Sequence, residues 1–251
     1  MPPWVVLTGA ADGLGGGELA ARLEAAGVAV RSAPLLDFAP PERWDALDAA
    51  LAHLGDYAAL VVTSPRAAAA VAERLAACAI DPSAMPPVWA VGDATARPLA
   101  AFAPRLAGTR EGAALAEAMV AADVGSPVLF PCGDRRLDVL PGRLRAAGRR
   151  VDEIVCYRTR LADEATARRA LEGAALVVVA SPSVARLLAA VAAGVPPAGR
   201  PRLVSVGPST AAALVERGWP ADRVAETTTP AALAEAALAV LAADGFNPGM
   251  R

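Results

Sequence analysis

The side chains able to do chemistry in this chain are few, and what is missing narrows the field as much as what is present. All 24 basic residues are arginine. The absence of lysine removes Schiff-base chemistry, lysine general bases and lysine-dependent phosphate loops together. His53 is the single histidine, and no second ligand-type residue stands at a metal spacing from it, which argues against a histidine-bound zinc and a histidine-dependent triad. It is expected at the surface or partly packed. Cys78, Cys132 and Cys156 are odd in number and widely separated, so they outline neither a disulfide framework nor a metal site and suit a reduced compartment. Tyr157, one of two tyrosines, either brings a phenol to the edge of a cleft or packs as an aromatic beneath a connecting segment.

Five short stretches are rich in small residues and hydroxyls: Thr63-Ser64-Pro65-Arg66, Val91-Gly92-Asp93-Ala94-Thr95, Pro131-Cys132-Gly133-Asp134, Ser181-Pro182-Ser183 and Val206-Gly207-Pro208-Ser209-Thr210. At the carboxyl ends of parallel strands, loops of this kind lead into helices whose unsatisfied N–H groups and dipole favour anions. Singly, Ser64, Thr95, Ser181, Ser183 and Thr210 are ordinary helix caps or first-turn residues, with proline in its usual first-turn place. Together they make an edge suited to a ligand with many carboxylates, and capping does not exclude binding. Thr8-Gly9-Ala10-Ala11-Asp12-Gly13-Leu14-Gly15 has the glycine spacing of short-chain dehydrogenases after a first strand. Those enzymes need a tyrosine followed four residues later by lysine, which this chain cannot supply, so the glycines are assigned to a tight turn.

The elements that must position these loops alternate. Apolar runs at 4–8, 59–63, 88–91, 127–130, 151–157, 176–180 and 203–206 predict buried parallel strands. Amphipathic stretches at 17–26, 65–77, 112–121, 137–147, 182–192, 208–217 and 231–242 predict helices between them. Such alternation specifies an α/β fold with right-handed crossovers. The chain also repeats itself. Leu60-Val61-Val62-Thr63-Ser64-Pro65 returns as Val177-Val178-Val179-Ala180-Ser181-Pro182, the segment at 90–96 returns at 205–211, that at 113–118 at 231–236, and that at 22–27 at 143–148. Each half therefore holds about five strand-helix units, enough for one doubly wound parallel-sheet domain apiece. Proline-rich 33–42 and polar 158–164 fall at equivalent places and are expected to be crossover segments.

Composition sets the outer bounds. In 251 residues, 55% hydrophobic content can fill two cores. The net charge of −2 gives no field that would gather nucleic acid or an acidic membrane surface. No stretch approaches the roughly 20 apolar residues of a membrane span, and residues 1–10 lack the pattern of a secretory signal, so a cytoplasmic protein is expected.

Leu129-Phe130-Pro131-Cys132-Gly133, then Val139-Leu140-Pro141, Leu144 and Gly148, then Cys156-Tyr157-Arg158-Thr159, together resemble the middle of the uroporphyrinogen-III synthases. The loops at 63–67, 91–96, 180–183 and 206–211 look like that family's other marks, in its order, so the similarity covers nearly the whole chain. The resemblance implies two similar α/β domains joined by a two-stranded linker with a cleft between them, one combining 1–35 with 162–251 and the other holding 36–161. It implies hydroxymethylbilane as substrate, no cofactor and no metal, and a monomer with at most transient contact with hydroxymethylbilane synthase. Loss of the terminal hydroxyl gives an azafulvene cation that attacks the substituted position of ring D, and a spiro intermediate then fragments and recloses with that ring inverted. By the same resemblance Tyr157 assists hydroxyl loss, while Thr8, Ser64, Thr95, Gly133, Ser181, Ser183 and Thr210 belong to loops that hold the acid arms, often through backbone amides. Two positions depart from the family, which often has arginine at Gly9 and at Leu137. Arg66, Arg135 and Arg136 are the candidates to compensate. A binding or regulatory module of the same fold is the rival reading, and turnover separates the two.

Overall fold

A computed structural model of the chain describes residues 4–10, 17–81, 83, 85–106 and 111–245. The greater part of the glycine motif at 8–15, from residue 11 onward, lies outside the described residues. The chain runs β1 (Trp4–Leu7), α1 (Glu18–Ala25), β2 (Ala29–Ser32), β3 (Leu36–Ala39), α2 (Asp45–Ala52), β4 (Ala59–Val62), α3 (Pro65–Ala77), β5 (Val88–Ala90), α4 (Asp93–Ala96), β6 (Arg105–Leu106), α5 (Gly112–Ala121), β7 (Val128–Gly133), α6 (Val139–Ala146) and β8 (Val151–Leu161). It continues through α7 (Glu164–Leu171), β9 (Ala174–Val179), α8 (Pro182–Val191), β10 (Arg202–Ser205), α9 (Pro208–Val215), β11 (Arg223–Val224) and α10 (Pro230–Ala243).

The strands make two sheets, ordered β11-β10-β9-β1-β2 and β3-β8-β7-β4-β5-β6. The five strands of the first pair in parallel throughout, as do β8, β7, β4, β5 and β6 of the second. The expected class, doubly wound parallel α/β, is the one observed. The internal repeat maps onto the orders directly: β9, β10 and β11 stand to β1 and β2 as β4, β5 and β6 stand to β7 and β8. Compact units comprise Met1–Asp37 with Arg160–Arg251, and Phe38–Thr159.

Parallel strands need both faces covered, and alternation along them decides which residue goes where. In β4, Leu60 and Val62 enter the cluster under α2 and α3, whereas Ala59 and Val61 enter the one under α5 and α6. In β1, Val5 and Leu7 pack toward α1 and α10, and Val6 packs toward α7 and α8. Helix starts follow the capping residues. The hydroxyl of Ser64 accepts from the Ala67 amide at 3.1 Å and that of Ser181 from the Val184 amide at 3.2 Å, each followed by proline in the first turn. Asp163 and Thr229 cap α7 and α10 in the same way.

One expectation about the elements is corrected. Pro131-Cys132-Gly133 is not loop but the end of β7, buried throughout. The segment at 33–42 contains β3, and β8 runs on to Leu161 and is half-exposed along most of its length. β8 lies between β7 and the edge strand β3, so it is less covered than a central strand. Thr8, expected to hold substrate, is fully buried. Its hydroxyl donates to the Val178 carbonyl at 2.8 Å and accepts from the Ala180 amide at 3.2 Å, and its backbone amide also bonds Val178. It ties the first strand to the ninth. Thr95 and Thr210 are 3% and 1% exposed. Each is the third residue of a helix that follows a glycine N-cap, with its side chain packed in the first turn.

The Thr8 tie predicts that Thr8→Val, which keeps the volume but strips the hydroxyl, leaves the Ala180 amide without its partner. The expected loss is about 1–3 kcal/mol of unfolding free energy, read from urea denaturation. An unchanged midpoint would show that the tie contributes nothing.

Candidate active site

In an open parallel sheet the strands wind outward in two directions from one point, and the loops leaving there part to open a crevice beyond the carboxyl ends. In the unit spanning Phe38–Thr159 that point lies between β4, from which the chain proceeds to β5 and β6, and β7, from which it proceeds to β8. A pocket of about 450 Å³ sits there, lined by Thr63 and Ser64 beyond β4, Cys132 and Gly133 at the end of β7, and Tyr157 on β8. Glu111, Gly112 and Ala113 at the start of α5, Arg136 and Leu137, and Val139 and Leu140 at the start of α6 complete its wall. Three helices, α3, α5 and α6, thus begin at one pocket, and their first-turn amides and dipoles make it receptive to an anion.

Tyr157 reaches the pocket through a register shift. Cys132 of β7 stands opposite Val155, but the next residue, Gly133, stands opposite Tyr157, so Cys156 is the extra residue of a bulge. Cys156 and Tyr157, although adjacent in sequence, therefore both pack against the cluster under α2 and α3. The Cys156 thiol donates to the Cys132 carbonyl at 3.4 Å. Asp134 fastens the same junction, its amide donating to the Tyr157 carbonyl at 3.2 Å and its carboxylate accepting from the Thr159 amide at 2.8 Å.

Electrostatics fit this placement. Burial pushes the Tyr157 phenol above its ordinary value of 10.0, while its hydrogen bond with Ser64 and the nearby Arg66 pull the other way. At neutral pH it is a phenol with a proton to give. Burial likewise raises Cys132, against the opposing charge of Arg136, and pushes Cys156 up to about 12, so both thiols stay protonated and neither is a ready nucleophile. Arg136 is paired with Glu153, which also pairs Arg145, and lies 3.6 Å from Asp138. Its charge is partly spent inside the unit. Leu137, where the family often has arginine, is 79% exposed at the pocket mouth.

Of the residues expected to form a site, Ser64, Gly133 and Tyr157 are brought together here. Ser181 and Ser183 stand half-buried at the start of α8 in the other unit, and Thr8, Thr95 and Thr210 are packed inside. His53 ends α2 with its side chain 73% exposed. Sequence reasoning passed over Phe38, whose ring meets Tyr157 edge-on at 5.9 Å and carries the Arg66 guanidinium 3.6 Å above its centroid. The signal available was the alternation of Leu36, Asp37 and Phe38 within a segment taken for a linker. The start of α5 was passed over as well, since Glu111-Gly112-Ala113 carries no hydroxyl to mark it. Among the described residues no group of three or more His, Cys, Asp or Glu could hold a metal ion, and no helix is long and apolar enough to cross a membrane.

Fold and site define a parallel α/β protein of two repeated units, one of which carries an anion-receptive pocket beside a half-buried phenol. The chain belongs to the uroporphyrinogen-III synthase family, whose model, described as uroporphyrinogen-III synthase HemD, matches residues 17–235. A uroporphyrinogen-III synthase of Synechococcus elongatus is 43% identical over 83 residues, a match covering 33% of this chain and 31% of that relative. The chain thus matches about a third of the length of this curated relative. A crystal structure of a mutant uroporphyrinogen III synthase from the extremely thermophilic bacterium Thermus thermophilus aligns over 96% of this chain and 99% of that one, with a TM-score of 0.66 at 18% identity. The uroporphyrinogen-III synthetase of Helicobacter pylori aligns over 96% and 100%, with a TM-score of 0.61 at 18% identity. At that identity the two structures establish the fold.

The burial of Tyr157 has a measurable sign. In Tyr57→Phe protein, where Tyr157 is the remaining tyrosine, tyrosinate absorbance should titrate with a midpoint above 10.0. Because the folded value is raised, its contribution to stability is complete below pH 10 and is lost as pH climbs through the folded value. A midpoint at or below 10.0 would mean that the phenol is solvated.

Proposed function

We propose that this chain is a uroporphyrinogen-III synthase, closing hydroxymethylbilane with inversion of ring D and release of one water. The reaction is redox-neutral and needs no cofactor. Tyr157 donates its phenolic proton to the departing hydroxyl, which leaves as water and produces the azafulvene cation. The amides at the starts of α3, α5 and α6 take the substrate's carboxylates, with Ser64 and Gly133 on the wall they share. Unassisted closure gives the uninverted isomer, so the enzyme's chief task is to hold a flexible polyanion in the geometry that leads through the spiro intermediate. The same proposal has the protein acting as a cytoplasmic monomer that receives substrate during transient contact with hydroxymethylbilane synthase.

The observation that carries this reading is the half-buried phenol at the winding reversal of the sheet, facing a pocket onto which three helix starts converge. The test generates hydroxymethylbilane in situ from porphobilinogen, adds the protein, oxidises the products and separates the porphyrin isomers. A shift from isomer I to isomer III is expected. Persistence of isomer I with folded protein would leave a tetrapyrrole-binding homologue as the surviving reading. Tyr157→Phe should lower kcat by roughly 10²–10⁴-fold, the usual worth of a positioned proton donor, and unchanged turnover would remove Tyr157 from the mechanism.

A further inference from the structure

Gly133 meets Tyr157 more closely than a side chain would allow. A Cβ built on Gly133 would lie 2.6 Å from Cζ, 2.7 Å from Cε2 and 2.8 Å from the hydroxyl oxygen of Tyr157, well inside van der Waals contact. Nothing about the glycine's own backbone requires it, since its φ is not in the left-handed region; the requirement comes from the ring above it. Phe38 meets the same ring edge-on at 5.9 Å with an interplanar angle of 71°, within the range of favourable aromatic pairs. Arg66, stacked 3.6 Å from the Phe38 centroid, anchors that neighbour in turn.

We propose that Gly133 and Phe38 are positioning residues for Tyr157: the bare backbone of Gly133 and the edge-on ring of Phe38 together fix where the phenolic oxygen points. This rests on the reading of Tyr157 as the proton donor, and it changes what Gly133 is for. A glycine that only lent its amide to a substrate carboxylate would tolerate alanine, which keeps the amide. A glycine that makes room for the phenol would not, because alanine must push the ring out of its place. The bulge at Cys156 belongs to the same device, since it sets Tyr157 opposite Gly133. Proton transfer depends on placement within hydrogen-bond reach, so a small displacement of the oxygen is enough to slow the step while the pocket still binds.

The experiment compares Gly133→Ala and Phe38→Leu, each in the Tyr57→Phe protein so that one tyrosine is observed. Phe38→Leu alters the second neighbour without loading the backbone at Gly133, so one folded variant suffices if the other fails to fold. The tyrosinate midpoint is expected to move down toward the ordinary value in both as the ring is released toward solvent. In Gly133→Ala, kcat should fall by about 10²-fold with KM near that of the parent. Adding Gly133→Ala to Tyr157→Phe should cost no further kcat, because the hydroxyl it positions is already gone. An unchanged midpoint in a folded variant overturns the positioning role, as does an equal loss of kcat in the presence and absence of the Tyr157 hydroxyl. Full turnover by Tyr157→Phe would instead sink the donor reading itself, and the titration keeps those two failures apart.

Discussion

Where a parallel sheet reverses its winding, two strands lie side by side and their loops leave in opposite directions, so the end of the sheet is bared at that one place. Something has to fill it. The two units of this chain solve the problem differently on the same strand order. In the unit of Met1–Asp37 with Arg160–Arg251, the hydroxyl of Thr8 bridges β1 to the Val178 carbonyl and the Ala180 amide, and a residue with the look of a ligand is consumed as a strut. In the unit of Phe38–Thr159, β7 ends in a glycine, and the vacant volume above it receives the ring of Tyr157 from the neighbouring strand. A duplicated fold thereby presents a tie at one reversal and a proton-bearing group at the other.

The chemistry follows from how little else is available. Lysine is absent, the single histidine is exposed at the end of α2, and the buried thiols are held protonated. What the Phe38–Thr159 unit concentrates at its bared edge is a neutral phenol and the first-turn amides of three helices. Those amides offer partial positive charge fixed by the backbone, which a net charge of −2 and the Glu153 partnership of Arg136 do not cancel. Such a site suits a ligand with several carboxylates and a poor leaving group, because binding and proton donation come from different groups and do not compete.

How much of this could be read in the sequence depended on the range of the interaction. Local signals were plain: α3 begins at the Ser64-Pro65 pair and runs through Ala77 as its pattern says, and the repeat of that pair at Ser181-Pro182 marks the equivalent start of α8. Short or exposed elements were not. β6 and β11 are two residues each, too short for alternation to register, and α7 begins within a polar segment that looks like linker. At the site, the identity of Tyr157 was legible from the motif around it, but its geometry was not. The one-residue slip between β7 and β8 joins Gly133 to a tyrosine 24 positions away, and no pattern of residue types announces a bulge. Burial was not legible either: Thr8, Thr95 and Thr210 share their composition with the half-buried Ser64, Ser181 and Ser183, and only the structure shows that their side chains are packed inside.

If Tyr157 gives its proton to the departing hydroxyl, the carbon that carries that hydroxyl must stand at the β4–β7 reversal, against the phenol. A crystal structure with uroporphyrinogen III bound tests it most directly. The prediction is a macrocycle whose ring-closing bridge carbon, the one that lost the hydroxyl, lies about 3–3.5 Å from the Tyr157 oxygen, with carboxylates on the first-turn amides of α3, α5 and α6. A macrocycle bound elsewhere, with the Tyr157 pocket empty, would contradict it.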